Sequence, residues 1–143
     1  MAYLVDANIL VNAAHKGFAF HKPCLTWLTT ALQQYRVYAT DLVEVAILRI
    51  TTLPSLKEEA ASVGEGFGFL GELHRIENYQ LLSQSSATKA TWKSLCSRYN
   101  LRGNHINDAY LAALALEHKL TLVSADKSFA RFDDLTWLNP TVS

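Results

Sequence analysis

Short apolar segments with the composition of buried strands alternate along the chain with longer segments whose apolar residues recur at helical spacing. The strand-like segments are "YLVD", "RVYAT", "IENYQLL", "LTLVSAD" and "LTWLNP". Helical spacing occurs in "HKPCLTWLTTALQQY", "LVEVAILRITTL", "LKEEAASV", "SATKATWKSLCSRYN" and "INDAYLAALALEHK". The alternation predicts an α/β fold with a parallel central sheet of about five short strands, flanked by helices on both faces. We expect one domain over residues 1–143.

The composition is that of a globular protein, with 50% hydrophobic and 18% charged residues. No apolar run reaches the roughly 20 residues that a membrane span requires. The opening "MAYLVDANIL" has no basic region and carries Asp6 within its apolar run, which is not typical of a signal peptide. Cys24 and Cys96 are the two cysteines, and they imply no disulfide framework. We therefore expect a cytoplasmic protein without a membrane partner.

Four acids lie within or beside apolar segments. Asp6 and Asp126 come at the carboxyl ends of two predicted strands, whereas Glu44 and Asp108 fall in the first turns of two predicted helices. In parallel α/β sheets, ligands bind outside the carboxyl ends of the strands. The fold would therefore bring these four distant acids together.

Clustered carboxylates need a compensating charge, because like charges repel and burial penalises the ionised form. No Lys or Arg is adjacent in sequence to Asp6 or Asp108. Mg²⁺ and Mn²⁺ prefer oxygen ligands of this kind. The pattern predicts a site for one or two hard cations, with Asp6 and Asp108 as the firmest ligands. Glu44 and Asp126 would hold a second ion or its waters, or orient the nucleophile.

Each acid also has an ordinary structural explanation when it is taken alone. Asp6 would cap the turn after its strand, and Asp126 would cap the helical turn that begins at "KSF". Glu44 and Asp108 would be favoured at helix starts by the helix dipole. Four such positions in one small α/β chain favour a shared site.

The sequence resembles the PIN-domain ribonucleases, and more narrowly the VapC-type toxins of bacterial toxin–antitoxin pairs. The resemblance is carried by "YLVDANIL", "TDLVEVAILRI", "RGNHINDAYLAALALEHKLTLVSADKSFARF" and "LTWLNP", in this order. It implies a Mg²⁺- or Mn²⁺-dependent RNA endonuclease whose catalytic acids match Asp6, Glu44, Asp108 and Asp126. It also implies supporting roles for two polar residues, Asn8 and Ser124.

The resemblance further implies protein partners. A separate antitoxin chain would lay apolar side chains beside "LVEVAILRI" and direct a Lys or Arg towards the acids. A homodimer is also expected, with "SLKEEAASVGEGFGFLGEL" contributing through Phe67 and Phe69.

Basic residues flank two of the acids in sequence. Arg98 and Arg102 precede Asp108, and Lys127 and Arg131 follow Asp126. Such a group would suit an RNA-backbone surface around a metal centre, although each residue alone is compatible with a solvated helix face. The net charge of zero, from 13 basic and 13 acidic residues, neither favours nor excludes nucleic acid.

Two other segments resemble known ligand-binding motifs. "GFGFLG" matches the glycine spacing of dinucleotide-binding loops, but it follows a helical segment rather than a strand, so we expect a flexible or tightly packed turn and no nucleotide cofactor. The set His15, His21 and Cys24 has an unusual spacing for zinc, so we expect structural or surface roles for these residues.

Other functions stay open on the sequence alone. A PIN nuclease that processes RNA without a toxin role would carry the same acids. A non-catalytic RNA- or protein-binding module would bind RNA without a divalent metal. A receiver-like phosphoryl-transfer domain is disfavoured, because "YLVDANIL" holds one acid where such a domain needs a pair.

Overall fold

Five short strands in residues 1–142, the part of the chain that the computed structural model describes, pair into one parallel sheet. They are β1 (Ala2–Val5), β2 (Arg36–Ala39), β3 (Tyr79–Leu81), β4 (Thr121–Val123) and β5 (Trp137–Leu138). Their order across the sheet is β3-β2-β1-β4-β5. The predicted parallel sheet of about five strands is confirmed, and β1 is its central strand.

Six α-helices and two short 3-10 helices connect these strands within the described residues. The α-helices are α1 (Ala7–Ala14), α2 (His21–Gln34), α3 (Asp41–Thr51), α4 (Val63–His74), α5 (Ser86–Arg98) and α6 (His105–His118). The 3-10 helices are Pro54–Glu59 and Lys127–Arg131. None of these helices is long and apolar enough to cross a membrane.

The helices form two layers because the direction of strand addition reverses at β1. Helices α1 to α4 connect β1 to β2 and β2 to β3, and α1 packs on α2 and α3 while α3 packs on α4. Helices α5 and α6 pack on each other and return the chain from β3 to β4 on the other side of β1. Right-handed crossovers then place the two groups on opposite faces of the sheet. The apolar sheet residues Leu4, Val5, Val37, Leu122 and Val123 are fully buried between them.

The structure departs from the sequence expectation at three segments. The residues after Asp6 were not predicted as a helix, yet α1 begins directly at Ala7, with the Asp6 carboxylate accepting a hydrogen bond from the Ala7 amide. "LKEEAASV" was predicted to be a helix. The structure has only the 3-10 helix Pro54–Glu59 there, because Lys57 takes a positive φ of 54° that interrupts helical geometry.

The third departure is "GFGFLG", residues 66–71, which was expected to form a turn and instead forms the middle of α4. A reciprocal capping box starts this helix: the Glu65 amide donates to Ser62 Oγ at 3.0 Å, and the Ser62 amide donates to Glu65 at 2.9 Å. Gly66 is buried against Leu48 of α3, so that helices α3 and α4 approach closely at this point. The glycines weaken helix propensity, but the cap and the packing override that preference.

Candidate active site

Two strand ends meet beside the point where the direction of strand addition reverses. Asp6 directly follows the central strand β1, and Ser124 directly follows its neighbour β4. The backbone amide of Asp6 donates to the Val123 carbonyl at 2.9 Å, which extends the parallel pairing to the acid itself. This is the edge of an α/β sheet at which ligands bind.

Asp6 is held by three hydrogen bonds at this edge. Its Oδ1 accepts from the Ala7 amide at 2.7 Å, and its Oδ2 accepts from Ser124 Oγ at 2.8 Å and from Asn8 Nδ2 at 3.4 Å. Burial raises the pKa of Asp6, and the charges of Asp108 and Asp126 raise it further, whereas the bonds from Ser124 and Ala7 act in the opposite direction. The pKa of the Asp6 carboxyl lies above its ordinary value, so its ionised form is destabilised without a cation.

Asn8 and Ser124 form the support of Asp6. Asn8 Nδ2 donates to Ser124 Oγ at 3.2 Å, and Asn8 Oδ1 accepts from the Ala125 amide at 3.1 Å. Ser124 is fully buried and also accepts from the Asp126 amide at 3.0 Å. The structure therefore places both sequence-predicted supporting residues in contact with Asp6 and connects them to the loop that carries Asp126.

Asp108 and Asp126 are joined by a residue that the sequence analysis did not select. The amide of Ser128 donates to Asp126 Oδ1 at 2.9 Å, and its hydroxyl donates to Asp108 Oδ2 at 3.1 Å. His105 Nδ1 lies 3.3 Å from the same Asp108 oxygen. Ser128 is two residues after Asp126 at the start of the 3-10 helix, a spacing typical of Asx capping, and this was the signal that could have identified it.

A cavity of about 680 Å³ contains three of the four predicted acids. Asp6 and Asp126 lie at the strand ends, and Asp108 lies in the first turn of α6. One wall is α3 and the opposite wall is the beginning of α6. Most of the remaining lining comes from α3 and from the start of α6. The α3 residues lie in the segment "LVEVAILRI" that the sequence analysis expects beside an antitoxin: Leu42, Val43, Val45, Ala46, Arg49 and Ile50. The sequence analysis did not select the residues on the α6 side, which are Asn104, Asn107, Tyr110 and Leu111.

Glu44 is placed differently from the other three acids. It is in the first turn of α3, as expected, but it is not among the residues that line the cavity. Its Oε2 accepts from the hydroxyl of buried Tyr79 at 2.8 Å and lies 2.8 Å from His74 Nε2. Burial, together with the Glu44 carboxylate, raises the pKa of the Tyr79 hydroxyl above its ordinary value, so Tyr79 stays a donor.

The four predicted RNA-binding residues lie outside the cavity. Arg98 pairs with exposed Asp133 at 3.5 Å and lies over the Tyr99 ring, and Arg131 Nε donates to the Ser128 carbonyl at 3.1 Å. Arg102 and Lys127 are exposed. Their role in RNA binding stays a prediction.

The donor chemistry of the cavity suits a hard divalent cation, since three carboxylates face a shared space and the pKa of Asp6 is raised. Within residues 1–142, no group of three or more His, Cys, Asp or Glu side chains is close enough to surround an ion as the side chains stand. Asp108 and Asp126 are instead turned towards Ser128. Metal binding would require these carboxylates to exchange hydrogen bonds for metal contacts.

The chain matches the family model of the PIN domain over residues 3–135. It is a PIN-domain protein. Among curated proteins, the PIN domain is 28% identical over 142 residues to Ribonuclease VapC25 of Mycobacterium tuberculosis, covering 98% of this chain and 99% of that one. It is 30% identical over 137 residues to VapC ribonuclease Mb2897 of Mycobacterium bovis, covering 95% and 93% of the two chains. The chain therefore belongs to the VapC ribonucleases within the PIN-domain family.

Solved structures support the fold of this PIN domain. VapBC-1 from nontypeable Haemophilus influenzae superposes with a TM-score of 0.72 at 17% identity, covering 99% of this chain and 100% of that chain. VapC20 of Mycobacterium tuberculosis, described as a toxin that cleaves the sarcin-ricin loop, superposes with a TM-score of 0.66 at 11% identity, covering 90% and 92%. At these identities, the likeness extends to the fold alone.

Proposed function

We propose that this PIN domain is a metal-dependent endoribonuclease that acts as the toxin of a type II toxin–antitoxin pair. The observation that carries the proposal is the convergence of Asp6, Asp108 and Asp126 on one cavity at the carboxyl edge of the sheet. The relatives named as VapC ribonucleases support RNA as the substrate. The likeness to VapBC-1 from Haemophilus influenzae supports an antitoxin partner.

In this proposal, Asp6, Asp108 and Asp126 hold Mg²⁺ or Mn²⁺. The bound ion would supply an activated water and neutralise charge that builds up on the phosphate oxygens. Asp6 is the fixed member, because Ser124, Asn8 and the Ala7 amide determine the orientation of its carboxylate. Second-shell contacts of this kind orient ligands and tune metal affinity.

Glu44 as a fourth ligand stays a prediction. To reach the cavity, its carboxylate would have to leave Tyr79 and His74, with which it makes two contacts of 2.8 Å. Its side chain is only 14% exposed, so an uncompensated move would leave a buried hydroxyl without its acceptor.

The α3 wall provides a surface for the proposed antitoxin. Leu42 and Val45 are 59% and 62% exposed and lie on the cavity side of the helix. Apolar side chains of an antitoxin segment would bury this stripe, and a basic side chain would pair with the acids. Metal and antitoxin would then compete, and each would weaken the binding of the other by the same factor. An antitoxin affinity that does not change with Mn²⁺ concentration would contradict this arrangement.

A homodimer is proposed through α4. Val63 and Phe67 lie one helical turn apart and are 61% and 58% exposed, which leaves apolar surface uncovered in the single chain. Phe67→Ser should shift the protein towards monomer in light scattering. An unchanged mass, or a monomeric wild type, would contradict this assignment.

The experiment that tests the proposed activity is sequencing of RNA 5′ ends after expression of the wild type and of Asp6→Asn. We expect new, discrete 5′ ends and growth arrest only with the wild type. The matched control is Asp134→Asn, since Asp134 is exposed and lies outside the acid-lined cavity. The same 5′ ends in cells that express Asp6→Asn would contradict the proposal.

A further inference from the structure

The acid-lined cavity contains one basic side chain among its described lining residues, that of Arg49. Arg49 is in the last turn of α3, four residues after Val45, and its side chain is exposed. Within residues 1–142, its guanidinium makes no salt bridge within 4.0 Å and no hydrogen bond. A cation beside three carboxylates would ordinarily pair with one of them.

The three acids of the cavity already have other hydrogen-bond partners, and none of them pairs with Arg49. Asp6 is bound by Ser124 and the Ala7 amide, and Asp108 and Asp126 are both bound by Ser128. The carboxylates are therefore oriented by Ser124, Ser128 and backbone amides, and His105 Nδ1 also lies 3.3 Å from Asp108. The cavity keeps a positive group on the α3 wall and negative groups at the strand ends and at the start of α6.

This separation of charge fits an anionic ligand that faces Arg49 directly and faces the carboxylates through a bound cation. A phosphate that approaches metal-binding carboxylates has this property, because its oxygens can face the cation and a guanidinium at the same time. Arginine binds phosphate through a planar pair of donors, which adds geometric specificity to the charge. An acidic protein side chain would match Arg49 but would be repelled by the carboxylates.

We propose that Arg49 binds a phosphate of the RNA strand in the acid-lined cavity, next to the bond that is cleaved. The inference rests on the proposed ribonuclease function and assigns a substrate contact that the basic residues Arg98, Arg102, Lys127 and Arg131 do not provide from outside the cavity. The apolar residues before Arg49 on the same wall, Leu42 and Val45, would face sugar and base rather than phosphate.

The test is binding of a short fluorescein-labelled single-stranded RNA of mixed sequence in a fixed concentration of Ca²⁺, which occupies carboxylate sites without supporting the proposed cleavage, measured over a series of KCl concentrations. Wild type, Arg49→Ala, Arg49→Lys and the control Arg75→Ala are compared. Arg75 directly follows α4 and lies outside the cavity. Its exposed side chain pairs with Glu72. Thermal unfolding of each variant shows that the fold is retained, and cleavage of total RNA in Mn²⁺ is measured in parallel.

We expect Arg49→Ala to bind RNA about tenfold more weakly, as loss of a charge-assisted contact implies. The slope of log affinity against log salt should fall by about 0.7, the value for one phosphate contact on a single strand. Arg49→Lys should keep the slope and recover part of the affinity, because it keeps the charge but loses the planar pair of donors. Arg75→Ala should match the wild type in affinity, slope and cleavage.

Two results would overturn the inference. If the wild type binds and cleaves RNA while Arg49→Ala keeps its affinity and slope, Arg49 is not a phosphate contact and the ribonuclease proposal stands. If the wild type neither binds nor cleaves RNA, the proposed function fails and the Arg49 contact with it.

Discussion

The hydroxyl of Ser124 donates a hydrogen bond of 2.8 Å to Asp6, although 118 residues separate the two along the chain. Parallel pairing of β1 with β4 creates this contact, since each residue directly follows its strand. The same hydroxyl accepts from the Asp126 amide at 3.0 Å, so one buried side chain orients two of the three acids in the cavity.

Replacing Ser124 by alanine should therefore weaken metal binding without changing the ligands themselves. We expect the Mn²⁺ concentration for half-maximal RNA cleavage to rise by about 10- to 100-fold, the usual effect of removing a second-shell contact. Ser94→Ala is the matched control, because Ser94 is exposed on α5. Equal Mn²⁺ dependence in the two variants would show that Ser124 does not orient Asp6.

Asp6→Asn should stabilise the metal-free protein at neutral pH. The pKa of Asp6 is raised above its ordinary value of 3.8, chiefly by burial and further by Asp108 and Asp126, so the folded state binds the proton more tightly than the unfolded state. Stability from this group is therefore present at low pH and is lost as pH rises through the raised pKa. An asparagine side chain does not ionise, so the variant does not lose stability in this way as pH rises.

Urea unfolding in EDTA over a pH series measures this difference. The stability advantage of Asp6→Asn should shrink as pH falls towards 3.8, because the wild-type carboxyl then becomes protonated in the folded protein. Asp134→Asn, at an exposed position, should show no such trend. A variant that is less stable than the wild type at neutral pH would contradict the assignment of Asp6 as a charge that is unfavourable without metal.

Tyr79→Phe should destabilise the fold by about 2 kcal/mol, because the carboxylate of Glu44 loses its hydroxyl donor in a largely buried setting. Chemical denaturation measures the free energy of unfolding, and Tyr38→Phe is the control, since the Tyr38 hydroxyl makes no hydrogen bond within residues 1–142.

The companion variant Glu44→Gln tests the metal-ligand role of that acid. If Glu44 stays with Tyr79 and His74, we expect cleavage to fall by less than about tenfold, that is, by less than 1.4 kcal/mol in transition-state stabilisation. Loss of cleavage as complete as in Asp6→Asn, in a folded protein, would instead place Glu44 among the metal ligands.

Gly66→Ala and Gly68→Ala should have opposite effects on stability. A Cβ at Gly66 would collide with the Leu48 side chain, whereas a Cβ at Gly68 meets nothing within 4 Å. We expect Gly66→Ala to lower the free energy of unfolding by about 1 kcal/mol through overpacking. Gly68→Ala should raise it by about 0.5 kcal/mol, because alanine is the better helix former. Equal shifts in denaturant midpoint would rule out close packing of α3 on α4 at this residue.

The fold could be predicted largely from the alternation of strand-like and helical segments, and the sheet confirms it. Helix α1 was missed because the apolar run of "YLVDANIL" continues across Asp6, which hides the change from strand to helix. Helix α4 was missed because its glycines suggest a turn, although the Ser62–Glu65 spacing at its start is typical of a capping box.

The site was predictable where it depends on strand order and unpredictable where it depends on side-chain direction. Asp6, Asp108 and Asp126 follow from the strand ends and the start of α6, because parallel topology determines their positions. The direction in which Glu44 points depends on Tyr79 and His74, which come from other elements and leave no local signal. Arg49 was missed because its relation to the acids arises only when α3 packs against α1, the helix that directly follows Asp6.

The measurement that tests the central claim most directly is cleavage of total RNA by the purified wild type and by Asp108→Asn, as Mg²⁺ or Mn²⁺ is added after EDTA treatment. We expect no cleavage in EDTA, and recovery with Mg²⁺ or Mn²⁺ but not with Ca²⁺, because the looser coordination of Ca²⁺ misplaces water and phosphate. We expect no recovery of cleavage in a folded Asp108→Asn variant. Robust cleavage by the wild type in excess EDTA, or full activity of Asp108→Asn, would contradict the central claim.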